Sequence, residues 1–206
     1  MEFIDSGFHF CASKYSSNLF GGRTPVPIRT NKNIIDIAIG VYEKRNRTHI
    51  SLIKVEILEN NNNLEFQLKE ASLNKALINK GKQGTYSEWG VVPSCSVDLG
   101  DKYGLYTIGF DSRNESIFHA STGLEYLDKN LKIINKSIGP ILDRGPMDPF
   151  WAASPFVYKK EEEFNMFYTS AYDYKFIDSI EKKHHLYNIK LRVSNTPEYF
   201  NTKSET

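Results

Sequence analysis

The sequence predicts an all-β chain laid out as a β-propeller, in units of about four short strands. Three observations predict it. First, a two-strand pattern occurs twice. Asp143 to Val157 followed by Phe164 to Ser170 repeats the grammar of Trp89 to Val97 followed by Leu105 to Asp111: a proline-marked strand, a charged turn, an apolar strand. At an offset of 62 residues, Pro93 meets Pro155, Tyr106 meets Tyr168, Thr107 meets Thr169 and Asp111 meets Asp173. Self-similarity of this kind marks a repeated unit. Second, apolar residues alternate with period two in several stretches of strand length. Third, a loop rich in Gly, Pro and acids precedes the first strand of each unit. That is where a propeller places the loops at the mouth of its central channel. A β-sandwich shows the same strand density but does not predict such a recurring loop.

In chain order, a short strand is expected near Phe8 to Ala12. Gly21 to Pro27 reads as a loop, because its prolines and glycines exclude helix. Ile34 to Tyr42 reads as a buried strand, Glu43 to Arg47 as its turn, and Thr48 to Ile57 as the next strand. Asn60 to Asn63 is a polar turn before Leu64 to Leu68. Residues 69 to 80 read as irregular. Gly81 to Gly90 is the loop before the first repeat copy, whose third and fourth strands are Ser116 to Ser121 and Leu131 to Ile134. The second copy closes with a charged loop, Asp173 to His185, and a strand, Leu186 to Val193. Residues 1–195 form one domain and 196–206 a polar tail.

Composition narrows the function classes. The chain has 206 residues, 40% apolar and 25% charged, ordinary for a soluble globular protein. Its net charge is +1, and the basic residues are spread along the chain, so no nucleic-acid partner is expected. No leader-like start and no apolar run of about 18 residues is present, so the expected setting is cytoplasmic, with no membrane partner. Cys11 and Cys95 are expected to be buried or half-buried thiols rather than a disulfide. No cluster has metal-ligand spacing, and no cofactor is expected.

The motifs resemble those of the five-bladed β-propeller glycosidase-like proteins, the superfamily of glycoside hydrolase families 32, 43, 68 and 130. The resemblance rests on Pro25-Val-Pro27, Gly84-Thr-Tyr-Ser-Glu88 before Gly90-Val-Val-Pro-Ser94, Asp143-Arg144 with Asp148-Pro149 before Ala153-Ser-Pro-Phe-Val157, and Tyr187-Asn-Ile-Lys190. It runs through nearly the whole chain in order. There are three departures. An arginine–acid step stands here as Tyr42-Glu43, the aspartate before Gly-Val is Glu88, and the chain supplies about three to three and a half blades. Five units of this period need about 300 residues. The expected fold is therefore a partial propeller of the five-bladed glycosidase type.

The resemblance implies a carbohydrate-active, glycoside-hydrolase-like protein whose partner is an oligosaccharide or another sugar-containing small molecule. Glycosidic cleavage generally uses two carboxylates across the bond, about 5–5.5 Å apart for retention and about 6.5–9.5 Å for inversion. The catalytic candidates are Glu43, Glu88 and Asp148, one per unit, with Asp143 as a substitute for Asp148. Candidates for sugar binding are Arg144, Asp143, Trp151, Trp89, Asn188 and Lys190. Each has a plainer reading. Glu43 fits a solvated turn, and Asp148 before Pro149 fits a turn cap. Arg144 fits a pair with a neighbouring aspartate, and Trp151 fits a core aromatic. Asn188 and Lys190 fit outer-face strand residues. A non-catalytic sugar-binding module, and self-association through an open propeller edge, are the alternatives.

Overall fold

A computed structural model describes residues 10–14, 18–43, 47–60, 63–111, 119–177 and 182–200. One short 3-10 helix, Ala12–Lys14, precedes eleven strands: β1 (Leu19–Asn31), β2 (Ile34–Glu43), β3 (Thr48–Asn60), β4 (Asn63–Ala71), β5 (Gly90–Asp98), β6 (Tyr103–Asp111), β7 (His119–Leu127), β8 (Ile133–Lys136), β9 (Trp151–Lys160), β10 (Glu163–Ile177) and β11 (Lys182–Ser194). They form three antiparallel blades: β1-β2-β3-β4, β5-β6-β7-β8 and β9-β10-β11. Adjacent blades are joined by one parallel residue pair each, Thr48 with Gly90 and Ser121 with Ala152. The chain is thus a partial β-propeller of three blades. The end at which β1, β5 and β9 begin is called the mouth end below.

The residues explain the strands. In β2, Ile37, Ile39 and Val41 point to one face while Ala38 points to the other, and each face closes a separate core. One core holds Val26, Ile28, Ala38 and Ile50 against Val91 and Leu105, joining blade I to blade II. A second holds Cys95, Tyr106 and Leu124 against Val157, Phe164 and Met166, joining blade II to blade III. Hydroxyls tie the innermost strands together: Ser96 donates to the Pro27 carbonyl at 2.6 Å and Ser94 to the Pro155 carbonyl at 2.8 Å.

Several expectations are corrected. Gly21 to Pro27 is strand, not loop. It lies in β1, which pairs only with β2, so its prolines fall where the free side needs no ladder N–H. Register shifts between Arg23 and Val26 and between Pro27 and Arg29 absorb the misfit. Strand also extends into the expected charged loop, through Ile177 and again from Lys182. Cys95 is buried, with its thiol pushed up to about 12 by desolvation, whereas Cys11 is exposed. The strand expected over Phe8 to Ala12 is not formed at residues 10–12, where Ala12 opens the 3-10 helix, and its first residues, the turns at 44–46 and 61–62, the beginning of the strand expected from Ser116 and the end of the tail lie outside the described residues.

The repeat is real, but its structural offset is 61 rather than 62. Cys95 pairs with Tyr106 and Phe156 pairs with Phe167, each 61 residues further on; Gly90 with Phe110 and Trp151 with Ala171 agree. Both inner hairpins carry an irregularity at the proline, between Pro93 and Cys95 and between Ala153 and Phe156. The matched identities are therefore one residue out of step. A one-residue slip turns a side chain to the other face of a sheet. Accordingly Tyr106 and Tyr168, aligned by identity, face each other across the same blade II–blade III core.

Candidate functional site

The mouth end carries a stripe of polar and aromatic groups from blades I and II and from the loop leading into β9. In blade I, β1 presents Arg23 and β2 presents Tyr42. The guanidinium of Arg23 lies 4.6 Å from the centre of the Tyr42 ring and 4.9 Å from that of Phe110, at the mouth end of β6. It therefore bridges blades I and II by stacking. Its Nε is buried with no hydrogen-bond partner, and burial lowers its pKa. Arg23 was missed in the sequence, where the arginine was sought beside Glu43; an arginine reaches Tyr42 from the neighbouring strand instead.

Beside Phe110, the 81–89 loop sets Glu88 and Trp89. The Glu88 carboxylate accepts from the Gly84 N–H at 2.6 Å, and Gly84 has a φ of +82°, where a side chain would be strained. The Trp89 N–H donates to the Phe110 carbonyl at 3.0 Å while its ring stays 50% exposed. The anchor is Tyr86, which dives between strands. A Cβ on Gly109 would lie 2.3 Å from its ring and one on Gly123 2.1 Å from its hydroxyl. Tyr86 reaches the carboxylate of Glu125 at 3.4 Å. Glu125 is fully buried and also accepts from the Ser137 N–H at 3.0 Å. Burial pushes it up to about 7.

Further along the stripe, His119 lies between two acids. Its Nε2 is 2.9 Å from Asp143 and its Nδ1 is 3.3 Å from Asp111. Asp143 Oδ1 accepts from the Ser121 hydroxyl at 3.0 Å and from the Arg144 N–H at 2.7 Å. Burial pushes the Asp143 carboxyl up, but hydrogen bonds from His119, the Arg144 N–H and Ser121 outweigh it and bring it to about 2. Arg144 itself points into solvent. His119 carried no motif signal. It acquires meaning only because β7 begins opposite the end of β6.

None of the three cavities described here is lined by more than one of the catalytic candidates. Glu43 lies at the mouth end of β2 and lines a polar cavity of about 470 Å³ with His49, Asn18, Asn74 and Asn79. Its Oε1 is 2.6 Å from His49 Nδ1, and His49 Nε2 is 3.1 Å from the Leu73 carbonyl. Both ring nitrogens of His49 thus face oxygen. Glu88 and Asp148 line neither this cavity nor two others, of about 450 and 330 Å³. Asp148 is 1% exposed and gripped by Lys190 at 3.0 Å, Arg192 at 2.7 Å and the Tyr168 hydroxyl at 3.3 Å. Burial pushes its carboxyl up, but bonds from Ser170, Lys190 and Arg192 take it below its usual range.

Of the binding candidates, Lys190 is committed to Asp148 and Asn188 is exposed on β11. Trp151 is buried, its ring packed against His185 at 5.9 Å and Tyr187 at 5.2 Å. Trp89 is the tryptophan with an open face. Among the described residues no group of three or more His, Cys, Asp or Glu is placed to hold a metal.

No protein-family profile and no curated protein matches the chain by sequence. Solved structures do. A sucrose-6-phosphate hydrolase from Lactobacillus gasseri superposes with a TM-score of 0.61 at 9% identity, over 87% of this chain and 33% of that chain. The fold is that of the β-propeller glycosidases. A family 117 glycoside hydrolase from Zobellia galactanivorans gives 0.60 at 11% identity, over 89% and 56% of the two chains. A levansucrase variant from B. megaterium gives 0.61 at 11%, over 89% and 52%. The chain thus spans about a third to just over half the length of these relatives.

Proposed function

We propose that the chain is a carbohydrate-active protein that holds an oligosaccharide across the mouth-end stripe. The observation that carries this reading is the stripe itself, set on a glycosidase-type scaffold. An open indole, Trp89, offers a sugar-stacking face. Arg23, Arg144, Glu88 and Asp143 offer donors and acceptors on either side. Pockets with an aromatic floor and a few fixed polar groups suit such ligands. The test is binding of a glycan panel, followed by Trp89→Ala. A ligand whose affinity drops at least about tenfold in that variant supports the reading; unchanged affinity counts against it.

A second reading, glycoside hydrolysis by loop carboxylates, is favoured by the Glu43–His49 pair in its polar cavity and by Glu88 at the stripe. It assigns Glu43, Glu88 and Asp148 to acid, base or nucleophile. Asp148 fits least well, because a carboxylate already satisfied by two cations has little basicity left to use. Turnover on the same panel, lost in Glu88→Gln or Glu43→Gln, selects hydrolysis; binding without turnover selects a non-catalytic module.

A further inference from the structure

The gaps between blades I and II and between blades II and III carry corresponding grooves with different linings. The Ile50 carbonyl accepts from the Leu77 N–H at 2.7 Å, and the Ile50 N–H donates to the Ile78 carbonyl at 2.9 Å. Thr122 makes the same pair of bonds with Ile141 and Leu142, at 2.8 Å each. That match aligns blade I with blade II residue by residue. In blade II, the row Val97, Gly104, Tyr126 and Asn135 runs across the face turned to blade III. Its counterpart in blade I is Arg29, Asp36, Lys54 and Glu70, on the face turned to blade II. Four charges of alternating sign thus stand where the second gap has none. Arg29 Nε is 2.6 Å from Asp36 Oδ2, and Lys54 Nζ is 2.6 Å from Glu70 Oε2.

The groove between blades II and III, of about 330 Å³, is lined in part by the chain's own Glu198 and Tyr199, from the segment after β11. The Tyr126 hydroxyl donates to the Glu198 carboxylate. The corresponding cavity between blades I and II is larger, about 450 Å³, and its wall is completed by the β7–β8 turn instead. Leu52, Leu77, Leu131 and Ile133 make its apolar side. Asp36 also lines it, is 3% exposed, and has an Oδ1 with no hydrogen-bond partner. Lys75 and Lys132 line it as well, are exposed, and have no ion-pair partner among the described residues.

We propose that this cavity binds a small organic anion with an apolar body and a hydroxyl donor. The anion meets Lys75 and Lys132, the body lies on the leucines, and the hydroxyl donates to Asp36 Oδ1. A buried acceptor without a donor is costly, and such a ligand removes that cost. The lining carries four cations (Arg29, Lys54, Lys75, Lys132) against two acids (Asp36, Glu70), so it favours negative charge. The volume and the mainly apolar wall with a few fixed polar groups suit a small molecule. In the second gap, the chain itself supplies a carboxylate and a phenol at the corresponding place. The cavity lies near the β1–β2 turn, away from the mouth end, so the proposal does not rest on the stripe holding a sugar.

The experiment is calorimetric titration of the full chain with para-hydroxyphenylacetate at low ionic strength. Saturable binding with a Kd of about 1 mM or tighter is expected for a ligand of this size. Phenylacetate, which lacks the donor, is expected to bind at least about tenfold more weakly, because Asp36 is then left unsatisfied. Lys75→Gln and Lys132→Gln alter exposed positions, so the fold should be kept, checked by circular dichroism. Each is expected to weaken binding about two- to fivefold. Lys159→Gln, on β9, should leave the affinity unchanged. No saturable binding up to about 10 mM, phenylacetate binding as well as its hydroxylated analogue, or an affinity unmoved by both Lys75→Gln and Lys132→Gln would each overturn the proposal.

Discussion

Asp148 and Glu125 are equally hidden carboxyl groups in neighbouring blades, yet their surroundings drive them in opposite directions. Asp148 meets Lys190 and Arg192 and is held below its usual range. Desolvation lifts Glu125 to about 7, outweighing the Ser137 N–H, the nearby charge of Lys136 and the distant Tyr86 hydroxyl. This difference shows that burial alone does not fix the state of an acid; whether cations are bonded directly to it, as Lys190 and Arg192 are to Asp148, weighs as much. It also separates two kinds of residue that look alike in sequence, an acid locked as an ion-pair hub and an acid left able to change protonation.

The sharpest way to break this contrast is to make Asp148 resemble Glu125. Arg192→Met leaves a buried carboxylate with one cation, and should cost about 3 kcal/mol of stability, since stripping a partner from a buried pair leaves charge uncompensated. Urea unfolding at neutral pH measures it. A loss below about 1 kcal/mol would show that the pair is solvent-screened after all.

Next in size is the pH dependence of Glu125. Its folded pKa lies above its ordinary value of 4.5, so the stability tied to its protonated form is present below about 4.5 and is lost as pH rises towards about 7. The loss is of the order of a few kcal/mol, at about 1.4 kcal/mol per unit. Glu125→Gln should flatten that part of the stability–pH curve. Asp143 runs the other way. With its folded value near 2, its contribution is present above its ordinary 3.8 and fades as pH falls through about 2.

Smaller effects sharpen the Glu125 side. Gly123→Ala places a methyl on the Tyr86 hydroxyl and should cost about 2 kcal/mol through overpacking, while shifting the emission of nearby Trp89 as the loop moves. Tyr86→Phe keeps the ring and removes the hydroxyl's contacts to Glu125 and Thr107, so about 1 kcal/mol is expected. A larger loss for Tyr86→Phe than for Gly123→Ala would mean that the hydroxyl, rather than the packed ring, anchors the loop.

Much of the fold could be read from the residues. The alternation in Ile34–Tyr42 and Thr48–Ile57, and the doubled proline pattern, led to strands, blades and the glycosidase-type propeller. The offset could not be read correctly, because identities such as Tyr106 with Tyr168 align across an irregularity that only the ladder pairing reveals. The site was legible in part. Glu88, Trp89 and Asp143 stand in motif loops, which sequence can flag. Arg23 and His119 gain their roles from strands brought together across blades, and nothing local to either residue marks them. Trp151 looked like Trp89 in sequence; His185 and Tyr187, supplied by a later strand, are what bury it.

On the proposed reading, a sugar rests on the mouth-end stripe with Trp89 as its floor. Intrinsic fluorescence during a glycan titration of Trp151→Phe tests it most directly, because Trp89 is then the sole indole in the chain. The account predicts a saturable change in that emission, abolished when Arg23→Ala removes the neighbouring cation. A glycan that binds by calorimetry yet leaves the Trp89 emission unmoved would contradict it.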